Sequence, residues 1–286
     1  MRIGCIIQAR SNSSRLPNKI FLPLPIDGKK SVIEWVVSRI RKIKEINEIV
    51  IATTLNKEDN QVELLSKQIN VNCYRGSEKN VLSRYYESAI IYNFDVIVRV
   101  TSDNPCIDPK VVEILIKNHI QNNNDYTVGE SLPIGIGAEI ISLSALKKAF
   151  HLAKDSYDIE HVTSYIYLTE KEKFKVERIP FQEKEEIRIT LDSKEDYMSL
   201  GALFDYLKEK PDFLLQDIVD LYNAKPWLHL INNSIVQKKK YHSLDSEMRE
   251  AINLLQKQDL FNVARILENH NMSRTDQLFK REILRT

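Results

Sequence analysis

Residues 1–20 read MRIGCIIQARSNSSRLPNKI. A short apolar run, Ile3 to Ile7, stops at Gln8-Ala9-Arg10 and opens into a polar loop that holds three cations, Arg10, Arg15 and Lys19. A buried strand delivers such a loop to one end of a sheet. Small and polar side chains then let the backbone approach an anion, and fixed cations neutralise it. Arg10, Arg15 and Lys19 stand five and four residues apart, and Ser11, Asn12, Ser13 and Ser14 let the loop curl so that all three converge. Two forked guanidinium groups and one point charge suit several phosphoryl oxygens better than one carboxylate. A solvated basic loop is the competing reading. The glycine pattern GxGxxG is absent, and so is GxxxxGK[ST], which argues against a dinucleotide fold and against Walker-type phosphoryl transfer.

Outward from this stretch, short apolar runs alternate with amphipathic helical patterns. Ser31 and Glu34 form a capping-box signature ahead of Val32, Ile33, Val36, Val37, Ile40 and Ile43, which share one helical face. Strands are predicted at Glu48 to Thr53, Val71 to Tyr74 and Val96 to Val100, with helices at Val62 to Gln68, at Val81 to Tyr92 and from Pro109 to about His119. This alternation predicts an α/β fold with a mostly parallel sheet and helices on both faces, since the apolar runs do not alternate. After Asp125 the pattern loosens into a turn at Pro133 to Gly137 and a strand at Ala138 to Ile141. Helices near Ser144 to Ala153 and Asp158 to Leu168, strands at Phe174 to Ile179 and Ile187 to Leu191, and a helix cap at Asp192-Ser193 follow. Beyond about Asp205 only helical patterns remain, at Ile218 to Tyr222, Glu247 to Gln256 and Phe261 to His270. The expected division is a core over 1–207 and a helical C-terminal extension over 208–286. Lys238-Lys239-Lys240 reads as a solvated face.

The 286 residues are 43% hydrophobic and carry 41 Lys plus Arg against 40 Asp plus Glu. Such a balance supplies a core but no overall field that would draw in nucleic acid or an anionic membrane, so any anion site is local. No run is long enough for a membrane span, and residues 1–20 lack the features of a signal peptide, so a cytoplasmic location is expected. Cys5, Cys73 and Cys106 lie singly in or beside apolar segments and read as buried small hydrophobes, fitting neither a disulfide framework nor a metal knuckle.

A second constellation is Asp103 with Asp192. Each follows a predicted strand, so both are expected just past a carboxyl end, the edge on which open α/β sheets bind ligands. Two such carboxylates, completed by phosphate oxygens and water, make a Mg²⁺ site. Helix capping is the competing role for Asp192, because Ser193-Lys194-Glu195-Asp196 looks like a helix start.

IIQARSNSSRLPNK, IVIATT, YRGSEKNVLSRYYESA, VIVRVTSDNPCIDP, IEHVTSYI and IRITLDSKEDY, in that order, resemble the cytidylyltransferase family. The likeness is to its spore-coat polysaccharide (SpsF-like) branch, related to the synthetases of CMP-sialic acid and CMP-3-deoxy-octulosonate. It covers about Met1 to Leu207. The resemblance implies a Rossmann-like, glycosyltransferase-A-type core, CTP and a small anionic acceptor as substrates, Mg²⁺, pyrophosphate release and a homodimer. Carried over by position, Arg10, Arg15 and Lys19 would grip the triphosphate, with Gln8, Ala9 and Ser102 near the nucleotide. Asp103 and Asp192 would hold the metal, and Lys19, Arg10 and Asp103 would carry catalysis. Arg75, Ser77 and Arg84 are candidates for the nucleotide or the partner substrate, Glu139 for the acceptor or the metal, and His161 for the acceptor. Ser11-Asn12-Ser13-Ser14-Arg15 replaces the glycine-rich loop of sialic-acid activators, which argues against a sialic acid. A metal-dependent glycosyltransferase of the same architecture and a non-catalytic nucleotide-binding or scaffold protein are the rival readings. No DxD stands at Asp103 to favour the first.

Overall fold

In the computed structural model, residues 1–13, 15–181, 187–235 and 244–269 are described. The chain forms β1 (Ile3–Gln8), α1 (Val32–Ile40), β2 (Glu48–Thr54), α2 (Asn60–Gln68), β3 (Asn72–Gly76), α3 (Val81–Ile91), β4 (Val96–Thr101) and α4 (Pro109–Asn122). β5 (Tyr126–Glu130), β6 (Glu139–Ser142), α5 (Leu143–Leu152), α6 (Ser156–His161), β7 (Val176–Pro180), α7 (Lys194–Tyr206), α8 (Leu215–Ala224), α9 (Leu228–Asn232) and α10 (Leu244–Lys257) follow. The seven strands make one sheet in the order β3-β2-β1-β4-β6-β5-β7. β3, β2, β1 and β4 are parallel, β6 is antiparallel to both of its neighbours, and β7 is parallel to β5.

The predicted α/β sheet is therefore present, and it is covered on both faces. Cys5 and Ile7 of β1 join one buried cluster with α1 and α4, while Ile6 joins another with α3 and α5. Helix starts follow their caps. Ser31 and Glu34 close a capping box on α1, Asn80 accepts from the Ser83 amide on α3, and Asp108 accepts from the Lys110 and Val111 amides beside Pro109 on α4. From β1 the chain first moves to β2 and β3 on one side and then to β4 on the other. The strand order thus reverses between β1 and β4, the kind of point past whose carboxyl ends open α/β sheets bind ligands.

Three differences from the sequence pattern bear on function. Ile187 to Leu191 is not a strand of the sheet; it is a buried extended segment attached by a single bridge, Ile134 to Arg188. Its apolar side chains pack into a third cluster with α7 and α8 rather than into a ladder. Gly135 permits the contact, with φ +106° and a position where a Cβ would lie 2.9 Å from the Ile189 carbonyl. The helix expected over Asp158 to Leu168 breaks at Val162, whose φ is 66°. The strand β5 had no clear signal, being five residues long with Thr127, Gly129 and Glu130 among them.

The packing divides the chain into Met1–Ser234 and Ile235–Thr286. The first unit reaches past the expected boundary at 207 because Phe213, Ile218, Val219, Tyr222 and Leu228 are buried with Leu200, Leu203 and Phe204 of α7. In the second unit, α10 is followed by helical residues 261–269, with Asp259 at φ 58° in the turn and Gln256 donating to Glu268. The three-lysine run lies outside the described residues, as does His270. Cys5 and Cys106 are buried and Cys73 is half-buried, all as free thiols. Among the described residues, no helix is long and apolar enough to cross a membrane.

His119, on the inner face of α4, gives the fold a pH dependence. Its Nδ1 lies 3.0 Å from the Thr127 hydroxyl, and burial, outweighing the attraction of Asp125 and Glu177, pushes its pKa down to about 4. The unfolded chain binds this proton near the ordinary value of 6.5 and the folded chain does not. The contribution is complete above that value and is lost as pH falls towards 4, on the order of 3 kcal/mol in all. His119→Gln is expected to flatten the stability profile over this window, as urea unfolding at a series of pH values would show.

Candidate active site

The loop after β1 is pinned at its base. The Ala9 amide donates to the Ala52 carbonyl (3.1 Å), and the Ser102 amide donates to the Gln8 carbonyl (3.0 Å), so β2, β1 and β4 end together. Ser11 is held by Asp59, which accepts from the Ser11 amide (2.7 Å), the Ser11 hydroxyl (2.5 Å) and the Thr54 hydroxyl. Burial opposes the Asp59 charge, but these donors prevail and hold its carboxyl below the ordinary value.

From this base the loop carries Lys19 inward. Its Nζ donates to Asp103 Oδ2 (2.6 Å), Asp192 Oδ1 (2.8 Å) and the Leu191 carbonyl (2.6 Å). Burial opposes the ammonium charge, and the fields of Asp103 and Asp192 overcome it, leaving the pKa raised. Arg15 Nη2 lies 3.1 Å from Asp192 Oδ2. Asp192 is held below the usual carboxylate range: burial works against its charge, and Lys19, Arg15 and Arg188 outweigh it. Arg10 is exposed at the start of the loop and forms no ion pair among the described residues.

Asp192 reaches this place without a strand of the sheet behind it. The Leu191 amide donates to the Asp103 carbonyl (2.8 Å), laying the extended segment directly against the residue that follows β4. Ser193, not Asp192, caps α7. Asp196, fully buried, accepts from the amides of Asp192 (2.9 Å) and Ser193 (3.1 Å), from Arg188 Nε (2.8 Å) and from Asn232 Nδ2 (2.9 Å). Arg188 Nη2 also reaches Asp192 Oδ2 at 3.1 Å. Asp192 is free of capping duty and points its carboxylate at Lys19.

Asp103 and Asp192 thus share one cation through hard oxygen donors. Such a pair suits Mg²⁺, which usually takes one or two carboxylates and completes its shell with water and phosphate. Among the described residues no cluster of three or more His, Cys, Asp or Glu offers an all-protein metal cage.

The other candidates fall into separate places. Arg84 is buried beneath the loop, with Nη1 3.4 Å from the Ala52 carbonyl and Nε without a partner. Its pKa is lowered by burial, with Arg10 adding to the effect. Arg75 is not brought to this group: it donates to the Thr54 and Asn56 carbonyls, Asn60 and Glu63, stapling the loop after β2. Ser77 accepts from the Asn80 amide in the turn before α3. Glu139 lies across β4 from the cations, paired with Arg99 and accepting from Tyr126 (2.6 Å) and Thr163 (3.0 Å). His161 ends α6 with its ring 4.0 Å from that of Tyr157.

Asp59, Arg188, Asp196, Asn232 and Arg99 were not singled out in the sequence. The run TTLNKED offered Asp59 as an acid shortly after a strand, and VIVRVT placed one charge inside a buried strand. Nothing local distinguishes Asn232.

A family model described as Cytidylyltransferase matches residues 4–225. The uncharacterized protein MJ1063 of Methanocaldococcus jannaschii is 36% identical over 243 residues, covering 83% of this chain and 97% of that protein. The spore coat polysaccharide biosynthesis protein SpsF of Bacillus subtilis is 33% identical over 233 residues, covering 77% of this chain and 94% of SpsF. A solved cytidylyltransferase structure from Leptospira borgpetersenii matches with a TM-score of 0.75 and 29% identity, over 85% of this chain and all of that one. The family match takes in the cation loop, Asp103 and Asp192 alike, and the chain belongs to the cytidylyltransferase family.

Proposed function

We propose that this enzyme transfers CMP from CTP to a small anionic acceptor with release of pyrophosphate, in the assembly of a surface polysaccharide or related glycoconjugate. The observation that carries the proposal is the convergence of Lys19, Asp103 and Asp192 at the point where the strand order reverses. Family membership supports CTP as the donor, and the likeness to SpsF supports polysaccharide synthesis.

The acceptor oxygen attacks the α-phosphorus as the bond to pyrophosphate breaks. Lys19, Arg15 and Arg10 neutralise the leaving pyrophosphate from the side of the β1 loop, in a site whose donors are already positioned. Asp103 and Asp192 would hold Mg²⁺, which supplies charge stabilisation at the reacting phosphate. Gln8 Oε1 is buried without a hydrogen-bond partner and suits the exocyclic amine of cytosine, while Arg84 supports the nucleotide from below. An acceptor that attacks through an oxygen already ionised needs no strong base; a hydroxyl acceptor would assign that duty to His161.

Thermal unfolding with each of the four nucleoside triphosphates and Mg²⁺ tests the donor. A ligand that binds only the folded state stabilises it by about 2.7 kcal/mol at a hundred times its Kd. The largest shift is expected with CTP, and a shift with GTP and none with CTP would overturn the assignment.

A further inference from the structure

β6 begins at Glu139, while both of its neighbours run on past it. β4 pairs Arg99 with Glu139 and continues through Thr101; β5 pairs Val128 with Glu139 and continues through Glu130. Between the two strand ends lies a crevice of about 260 Å³. Val128, Leu132 and Pro133 give it apolar walls, and Arg99, Glu139 and Asn104 supply polar groups. Asn104 directly follows Asp103, so the crevice adjoins the triphosphate site.

Both oxygens of Glu139 are engaged. One of its oxygens takes the Tyr126 and Thr163 hydroxyls, and the other takes Nη1 of Arg99. Arg99 is not fully engaged: its Nε is buried without a hydrogen-bond partner, and Nη2 has no acceptor among the described residues. The Nε–Nη2 edge is the one that a carboxylate or phosphate bridges with two parallel N–H···O bonds. A buried donor without an acceptor calls for an explanation, and a bound oxyacid supplies it.

The backbone near Glu139 points the same way. Val162, buried and β-branched, sits at φ 66° and ψ −58°, with the Thr163 amide donating to the His161 carbonyl at 2.7 Å. This is the strained form of the γ-turn, and strain of this kind clusters at ligand clamps. Here it sets the Thr163 hydroxyl on Glu139.

We propose that Arg99 anchors the oxyacid group of the acceptor in this crevice, with Glu139 as the positioning residue that holds the guanidinium. The acceptor is then a small carboxylic acid or phosphate monoester with one apolar face, and not a neutral sugar or polyol. This rests on the cytidylyl-transfer reading above.

The test uses the full chain loaded with CTP and Mg²⁺, so that the triphosphate cations are occupied. Acetate and inorganic phosphate are titrated separately and followed by thermal unfolding. Wild type is expected to bind at least one of them about tenfold more tightly than Arg99→Lys, which keeps the charge and loses the fork. Preference for acetate identifies a carboxylic acid acceptor, and preference for phosphate a phosphate monoester. The double variant Arg99→Met/Glu139→Gln removes both charges, so no buried carboxylate is left unpaired, and it is expected to lose the same binding. Equal anion binding by wild type and both variants would overturn the assignment of Arg99, whatever CTP does. Absence of a CTP shift in wild type would instead overturn the donor reading.

Discussion

Lys19→Met is expected to lower the rate of CMP transfer by about 10²- to 10³-fold while the protein remains folded. Lys19 is the group that Asp103 and Asp192 hold in common, and its ammonium stands where the loop cations meet the two carboxylates. In wild type both acids keep it protonated, so in the proposed reaction it would present a full charge to the leaving pyrophosphate. Methionine keeps the length and packing of the side chain and removes the charge. Without it the Asp192 carboxyl titrates at a higher pH than in wild type, since Lys19 is the strongest of the attractions that hold it down. Asp192 keeps Arg15 and Arg188 as partners, which limits the loss of stability. Binding of Mn²⁺ without nucleotide separates the two roles of the site. Lys19→Met is expected to retain or strengthen it, because the competing ammonium is gone, whereas Asp103→Asn is expected to lose both metal binding and turnover. Steady-state assays of pyrophosphate release give the rates, and wild-type rates for both variants would remove the site assignment.

The second large effect is on stability. Asp196→Ala is expected to destabilise the protein by about 3–5 kcal/mol, the range for breaking one side of a buried ion pair. Asp196 is fully buried and accepts from Nε and Nη2 of Arg188, the amides of Asp192 and Ser193, and Asn232. Among the described residues, alanine leaves Arg188 with Asp192 as its carboxylate partner, drawing that side chain away from Lys19. Activity should therefore fall even at temperatures where the variant is folded. Asn232→Ala removes one donor from the same network and should cost about 1 kcal/mol. Urea unfolding monitored by circular dichroism compares the two.

Much of this site could be read from the chain because its parts are local. A run of Ile ending at Gln8 marks a strand and the loop beyond it, and three cations within ten residues mark its charge. The convergence of Asp103 and Asp192 followed from placing both past carboxyl ends, yet the means differ. Ile187 to Leu191 has the apolar pattern of a strand, and it is held instead by backbone bonds to Ile134 and Asp103, a pairing between distant loops that no periodicity records. Ser193 to Asp196 reads as a helix start, and the structure closes a capping box there, but the burial of Asp196 against Arg188 and Asn232 depends on α9 packing over it. The same packing carries the first unit to Ser234. β5 carries no strand pattern of its own, because its polar and glycine residues become a strand only between β6 and β7. Arg99 was hidden inside a strand whose other residues are all apolar up to Thr101, and it acquires meaning only where β6 stops short.

Transfer of label from CTP carrying ³²P at the α-phosphorus tests the central assignment most directly, with Mg²⁺ and a panel of small carboxylic acids and phosphate monoesters. Label is expected to pass to an acid in step with pyrophosphate release in wild type, and to fall to near background in Lys19→Met and Asp103→Asn. Transfer at equal rates by wild type and both variants would contradict it.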